Sequence, residues 1–177
     1  MLCSSRIVFT IEMACRLYEY YNDVLGARAY FDPNGKLVPS NRIIAMYHSE
    51  SAESVKRAVS ESLADPNGII RRIFASQSLS MGVDCPNIRQ VIHWQVPRTL
   101  EAYFQEVGCA GRDGAPAAAI LLYSSGMLKD TFCSLSVQDF HTNPTNECLR
   151  GKVLNYFSIS YDSENLDRNC CSVCSCK

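Results

Sequence analysis

The 177-residue sequence predicts an α/β fold: a parallel sheet flanked by helices, with a small helical, cysteine-rich appendage. Three observations carry that prediction. Short apolar runs alternate with amphipathic ones along most of the chain, as expected of a parallel sheet covered on both faces. Turn residues punctuate the runs at Asp32-Pro33-Asn34-Gly35 and Asp65-Pro66-Asn67-Gly68. Five of the ten cysteines, namely Cys148, Cys170, Cys171, Cys174 and Cys176, fall near the C-terminal end.

The elements follow in order. Arg6–Thr10 reads as a buried strand, and Thr10 can cap the segment behind it. There Ile11, Ala14, Leu17, Tyr18, Tyr21 and Leu25 recur at helical spacing up to Gly26. Residues 30–41 form a turn-rich loop, and a strand follows at Ile43–Tyr47. Val55, Ala58, Val59, Ser62 and Leu63 mark one face of a second helix. Ile69–Ala75 and Val91–Trp94 are further strands. Pro97 precedes a helix over Thr99–Val107, and Ala118–Tyr123 is the fifth strand. His93, ending a strand, reads more readily as a satisfied core residue than as a catalyst. Leu149, Val153, Leu154 and Phe157 give residues 149–157 a helical look.

A chain that is 47% hydrophobic can bury one proper α/β core and a small appendage. Net charge is −1, so any contact with nucleic acid must come from locally placed groups rather than bulk attraction. No run approaches the roughly 18 apolar residues of a membrane helix. The single Arg6 before the short apolar stretch 7–11 is a poor secretory signal. A reduced compartment with a clustered metal site therefore suits the cysteines better than a disulfide framework.

Two loops invite a functional reading. The first runs from Phe74 through Ser76, Ser78 and Ser80 to Gly82 and Asp84. It is either a plain connector or a place where serine hydroxyls and main-chain N–H groups bind phosphate oxygens. In the second case Gly82 allows close backbone approach and Asp84 can accept from a sugar hydroxyl. The second loop is Gln105-Glu106-Val107-Gly108-Cys109-Ala110-Gly111-Arg112-Asp113-Gly114. It is either a helix cap with a solvated arginine or a mount that brings the planar, permanently charged Arg112 to a phosphoryl group.

Together and in order, these loops resemble the A-T-x-A-F-G-M-G-I-D and Q-E-x-G-R-A-G-R-D-G signatures of the RecQ family of DNA helicases. The segments between them, Pro86-Asn87-Ile88-Arg89-Gln90-Val91-Ile92-His93 and Pro97-Arg98-Thr99-Leu100-Glu101-Ala102-Tyr103-Phe104, resemble the family's linking segment. Ile7-Val8-Phe9 is similar to its second-lobe opening strand, and Met46-Tyr47-His48-Ser49 to its Y-H-x-G/S element. The resemblance implies a RecA-like second helicase lobe and ATP-dependent 3′–5′ unwinding. It implies that Gln105 and Arg112 face the ATP cleft as catalytic residues, with Arg112 the finger on the γ-phosphate. Gly82, Asp84 and Arg112 would be the ATP-binding residues, with Ser76 and Ser78 at the DNA backbone. The partners implied are single-stranded or forked DNA and a first RecA-like lobe in cis or trans, with no membrane. ATP with Mg2+ is the implied cofactor, and the nucleus the implied location, or the cell interior in a prokaryote.

Departures accompany the resemblance. Cys109 stands where the family has the first arginine of G-R-A-G-R, and a thiol supplies neither permanent charge nor bidentate donors. Leu79 and Ser80 replace the family's Phe-Gly, which is expected to disturb the loop's packing. The sequence contains neither G-x-x-x-x-G-K-S/T nor D-E-x-H, so the phosphate cradle and the magnesium carboxylate would belong to a first lobe. The isolated chain is expected to be inactive, and the alternative reading is a non-enzymatic DNA- or protein-binding fragment.

The tail resembles the family's zinc module, in which a helix-borne C-R-R-x-x-L-L-x-Y-F precedes a C-x-x-C knuckle. Here Cys148-Leu149-Arg150-Gly151-Lys152-Val153-Leu154-Asn155-Tyr156-Phe157 is followed by Cys170-Cys171-Ser172-Val173-Cys174. Cys148, Cys170, Cys171 and Cys174 are the expected Zn2+ ligands, with Cys176 as the substitute for Cys170 because adjacent ligands are sterically awkward. A disordered cysteine-rich end, or adventitious disulfides, is the other possibility. Gly151 is expected to weaken its helix by about 0.5–1 kcal/mol. The expected domains are residues 1–125 as the helicase lobe and 126–177 as the zinc module, with a winged helix expected beyond.

Overall fold

The computed structural model describes residues 3–7, 10–32, 34–65, 67–80, 87–128, 133–160 and 170–175. It divides into two compact units, Met1–Val96 with Gln105–Ser124, and Pro97–Phe104 with Ser125–Lys177.

The first unit holds a five-stranded sheet of order β2-β3-β1-β4-β5, with every pairing parallel. Its strands are β1 (Cys3–Ile7), β2 (Ile44–Tyr47), β3 (Arg72–Ala75), β4 (Ile88–His93) and β5 (Ala118–Leu121). Helix α1 spans Ile11–Leu25, α2 Glu53–Ala64 and α3 Leu100–Val107, with the division between the units falling inside α3.

Local signals explain the helix ends. Thr10 is the N-cap of α1, its hydroxyl accepting from the Met13 N–H at 3.1 Å. Gly26 ends the helix at φ 51°. Gly68 closes the turn after α2, where a Cβ would meet the Ser62 carbonyl oxygen at 1.8 Å.

Period-two alternation on β3 builds the core on both faces. Phe74 joins Ala14 and Leu17 of α1 and Ile44 on one side. Ile73 and Ala75 join Val59 and Leu63 of α2, with Ile88, Val91 and Cys109, on the other. The strands differ from expectation mainly at their ends. The first lies at Cys3–Ile7 rather than Arg6–Thr10; Val8 and Phe9 lie outside the described residues. The third begins at Arg72 instead of Ile69, and the fourth covers 88–93 instead of 91–94. Apolar runs mark burial, but ladder pairing sets where a strand starts, and the sequence carries no record of the partner.

The second unit contains the start of α3, α4 (Leu135–Thr142), α5 (Leu149–Tyr156) and the single turn α6 (Ser172–Ser175). Helix α4 carries only Val137 and Phe140 as buried residues, too sparse a stripe for periodicity to reveal. Tyr103 packs on Phe140 with ring centroids 5.5 Å apart, and Phe104 on Phe157 at 4.8 Å. No described helix is long and apolar enough to cross a membrane.

Replacing Phe74 by alanine is expected to destabilise the fold by about 3–5 kcal/mol, since this ring is fully buried between α1 and the sheet. Denaturant unfolding measures it, and a loss below about 1 kcal/mol would contradict this core assignment.

Candidate functional site

Ser76 and Ser78 lie just beyond the C-terminal end of β3, where parallel α/β sheets collect ligands. The loop carrying Arg112 instead follows α3 and is bonded to residues 88 and 89 at the start of β4. Ser76 follows β3 directly. Its N–H donates to the Tyr47 carbonyl at 3.1 Å, and its hydroxyl lies 3.0 Å from that of Ser78. Ser76 is buried and Ser78 half-buried. A short 3-10 turn over Gln77–Ser80 carries Leu79 into the core, fully buried in the same cluster as Tyr47 and Cys109. Leu79, expected to disturb the loop, instead anchors it. Gly82 and Asp84 lie outside the described residues.

Gln105 and Arg112 are both exposed, at the end of α3 and in the loop behind it. Three contacts tie this segment to β4. At the first, His93 Nε2 hydrogen-bonds Glu106 Oε2 at 2.6 Å, with both side chains at most 2% exposed. His93 is thus a core residue, as its strand-end position suggested, and Glu106 is the buried partner that the sequence reading passed over. At the second, the Gly111 N–H donates to the Ile88 carbonyl at 3.0 Å. At the third, Arg89 Nη1 donates to Asp113 Oδ1 at 2.9 Å while Nη2 meets Oδ2, a bidentate pair. The Arg89 guanidinium holds the Asp113 carboxyl below the usual carboxylate range.

Arg112 sits in the turn between two glycines, where the Gly114 N–H donates to the Gly111 carbonyl at 2.9 Å. Gly111 adopts φ 67°, and a Cβ there would come within 2.9 Å of the Ala115 carbonyl oxygen, which restricts the position to glycine. Arg112 Nε donates to the Gly108 carbonyl at 3.1 Å, and its Nη2 lies 3.9 Å from Cys109 Sγ. Cys109 itself is 1% exposed and packs in the core. Burial pushes its thiol pKa up, against the opposing pull of the Arg112 cation. The site therefore presents one guanidinium, with a buried thiol behind it.

The second unit brings together the four cysteines expected as ligands. The thiol sulfurs of Cys148, Cys170, Cys171 and Cys174 all lie within 4.8 Å of one another. Cys148 Sγ is 3.5 Å from Cys170 Sγ and 3.9 Å from Cys171 Sγ. A tetrahedral ion with sulfur bonds of about 2.3 Å requires sulfurs about 3.8 Å apart, so this soft donor set fits one metal ion. The adjacent Cys170 and Cys171 both reach the cluster; Cys176 lies outside the described residues.

Cys148 is the N-cap of α5, and the amide of the buried Gly151 points at its sulfur from 3.5 Å. The glycine expected to weaken this helix is thus part of the cluster's surroundings. Burial works against ionisation of Cys171, but amides of Cys174, Leu149 and Val173, with the Cys174 thiol, prevail and bring its pKa down to about 6. Cys174 is pushed up to about 12 by its hydrogen bonds with Cys170, Cys171 and Cys148.

Comparison with known proteins places this geometry. Residues 27–114 match the helicase conserved C-terminal domain. The chain is 34% identical over 119 residues to the ATP-dependent helicase SGS1 of Saccharomyces cerevisiae, covering 57% of this chain and 8% of that protein. It is 31% identical over 145 residues to the putative ATP-dependent DNA helicase Q1 of Caenorhabditis briggsae, covering 76% of this chain and 23% of that protein. Its fold is similar to that of the Mycobacterium smegmatis helicase Lhr solved with ssDNA and AMP-PNP. That match has a TM-score of 0.59 at 23% identity, and covers 80% of this chain and 17% of Lhr. The chain thus spans less than a quarter of the length of these relatives.

Removing one partner of a buried pair strands the other. Glu106→Ala is therefore expected to cost about 3–5 kcal/mol in denaturant unfolding, and Glu106→Gln distinctly less. Equal losses for the two would show that packing, not the hydrogen bond, holds this junction.

Proposed function

The chain belongs to the RecQ family of superfamily 2 helicases, as a C-terminal region of one, and from that premise we propose that it serves as the second motor lobe of an ATP-dependent 3′–5′ DNA helicase. The observation that carries this reading is the mounting of an exposed Arg112 on a glycine-flanked loop whose neighbouring residues are bonded to the start of β4.

In this reading the first RecA-like lobe brings ATP and its Mg2+ to a cleft faced by Gln105 and Arg112. The magnesium ion would neutralise phosphate charge there. Arg112 supplies a fixed guanidinium to the charge that builds on the transferred phosphoryl group. Gly82 and Asp84 would lie beside the nucleotide. Ser76 and Ser78 would meet the backbone of single-stranded or forked DNA through hydroxyls rather than charge. The half-buried Ser78 is the more open of the two, and the Ser76 N–H is already bound to the Tyr47 carbonyl. The near-neutral chain suits a role in which such local contacts, not a basic surface, hold the strand. Zn2+ on Cys148, Cys170, Cys171 and Cys174 would fasten α5 to α6 in a zinc module, residues 126–177, beside a helicase lobe of residues 1–125. Work on genomic DNA would place a eukaryotic form in the nucleus.

One observation favours a second reading, a DNA- or protein-binding module without turnover. The core-buried Cys109 leaves a single guanidinium on this loop.

Two measurements test these readings. Joined to a RecQ first lobe, the chain is expected to show DNA-stimulated ATPase activity, and Arg112→Ala to lower kcat by about 10³. No turnover from either the natural chain or its Cys109→Arg variant would leave the module reading standing alone. Purified under reducing conditions, the chain is expected to carry about one equivalent of zinc, and Cys171→Ser less than about half. Less than half an equivalent in the unaltered chain rules out the four-thiolate site.

A further inference from the structure

We infer that Arg89 and Asp113 are positioning residues for Arg112, forming a clamp that fixes the arginine loop on strand β4. The inference rests on the helicase reading of Arg112 and adds two residues to it.

The side-chain bonds of Arg112 to the Gly108 carbonyl and to Cys109 Sγ are made to residues of its own loop, so where its guanidinium points depends on how that loop is held. Contacts on both sides of Arg112 hold it. On the N-terminal side, the Gly111 N–H is bound to the Ile88 carbonyl at 3.0 Å. On the C-terminal side, both oxygens of Asp113 are taken by the guanidinium of Arg89, the residue after Ile88. The same carboxylate accepts from the Ala115 N–H at 3.1 Å, which fixes its own rotamer. Consecutive residues of one strand thus hold the residues on either side of Arg112. A carboxylate held by a planar two-pronged donor has a defined direction as well as a distance, which a single-point contact lacks.

The pair is partly open, with side-chain exposures of 18% and 31%. Ion pairs this close to solvent add little to global stability. Their value here lies in where they put the neighbouring residue. Displacing a catalytic group by about 1 Å can cost on the order of a hundredfold in rate. A clamp that barely affects unfolding can therefore still govern turnover.

The test uses Arg89→Ala, Asp113→Asn and Arg89→Lys, in the chain itself and in the chain joined to a RecQ first lobe. In the chain itself, amide hydrogen exchange at residues 111–114 is expected to quicken at least about tenfold in the first two variants, while core amides and the melting temperature stay nearly unchanged. In the fusion, kcat for ATP is expected to fall about ten- to a hundredfold with KM altered less than about threefold, and Arg89→Lys, which keeps the charge but not the fork, to fall in between. Unaltered exchange overturns the clamp. So does faster exchange with unchanged kcat in an active fusion, which would leave the pair a purely structural contact. An unaltered fusion with no turnover overturns the helicase reading instead, and the clamp then stands or falls on the exchange rates.

Discussion

The hydrogen bond between His93 and Glu106 joins the last residue of β4 to the last turn of α3 where no water reaches, and much of the candidate site hangs from that junction. A buried polar pair tolerates little displacement, because separating it leaves two unsatisfied groups in a low-dielectric interior. Residue 106 is thereby held at the strand's end. Gln105 stands immediately before it, and the loop carrying Arg112 starts two residues later. The Gly111–Ile88 and Arg89–Asp113 contacts then return the chain to the start of the same strand. An exposed, irregular loop thus acquires the definition of a sheet.

Cys109 shows how the same junction shapes chemistry. It lies between two of the ties, and its side chain enters the core beside Ile88, Val91 and Leu79. Leu79, which stands where the family signature has phenylalanine, belongs to the same cluster and keeps an apolar side chain there. The thiol at 109 takes a place in that core that an arginine would not, and it leaves Arg112 as the loop's guanidinium.

The thiol cluster obeys a different logic. Its four sulfurs come from the cap of α5 and from the residues beside α6, elements too short to hold each other by apolar burial. Amides favour the thiolate at Cys171, the Gly151 amide points at the Cys148 sulfur, and a shared cation would convert that local arrangement into a crosslink. In the sheet-bearing unit, hydrophobic burial does the work that a metal ion would do here.

Much of this was legible in the sequence. The alternation of elements, the capping by Thr10 and the grouping of Cys148, Cys170, Cys171 and Cys174 follow from spacing and side-chain chemistry, which are local properties. The order of motifs along the chain identified the family for the same reason. The strand starts, helix α4, the burial of Cys109 and Leu79 and the two ties made by side chains were not legible. Arg89 and Asp113 are 24 residues apart with α3 between them, and His93 and Glu106 are 13 apart with Glu106 in the last turn of that helix. Residue type announces that a charge or an imidazole needs a partner. Which partner it meets depends on the register of β4 and the angle at which the chain leaves α3, and only the folded sheet sets those.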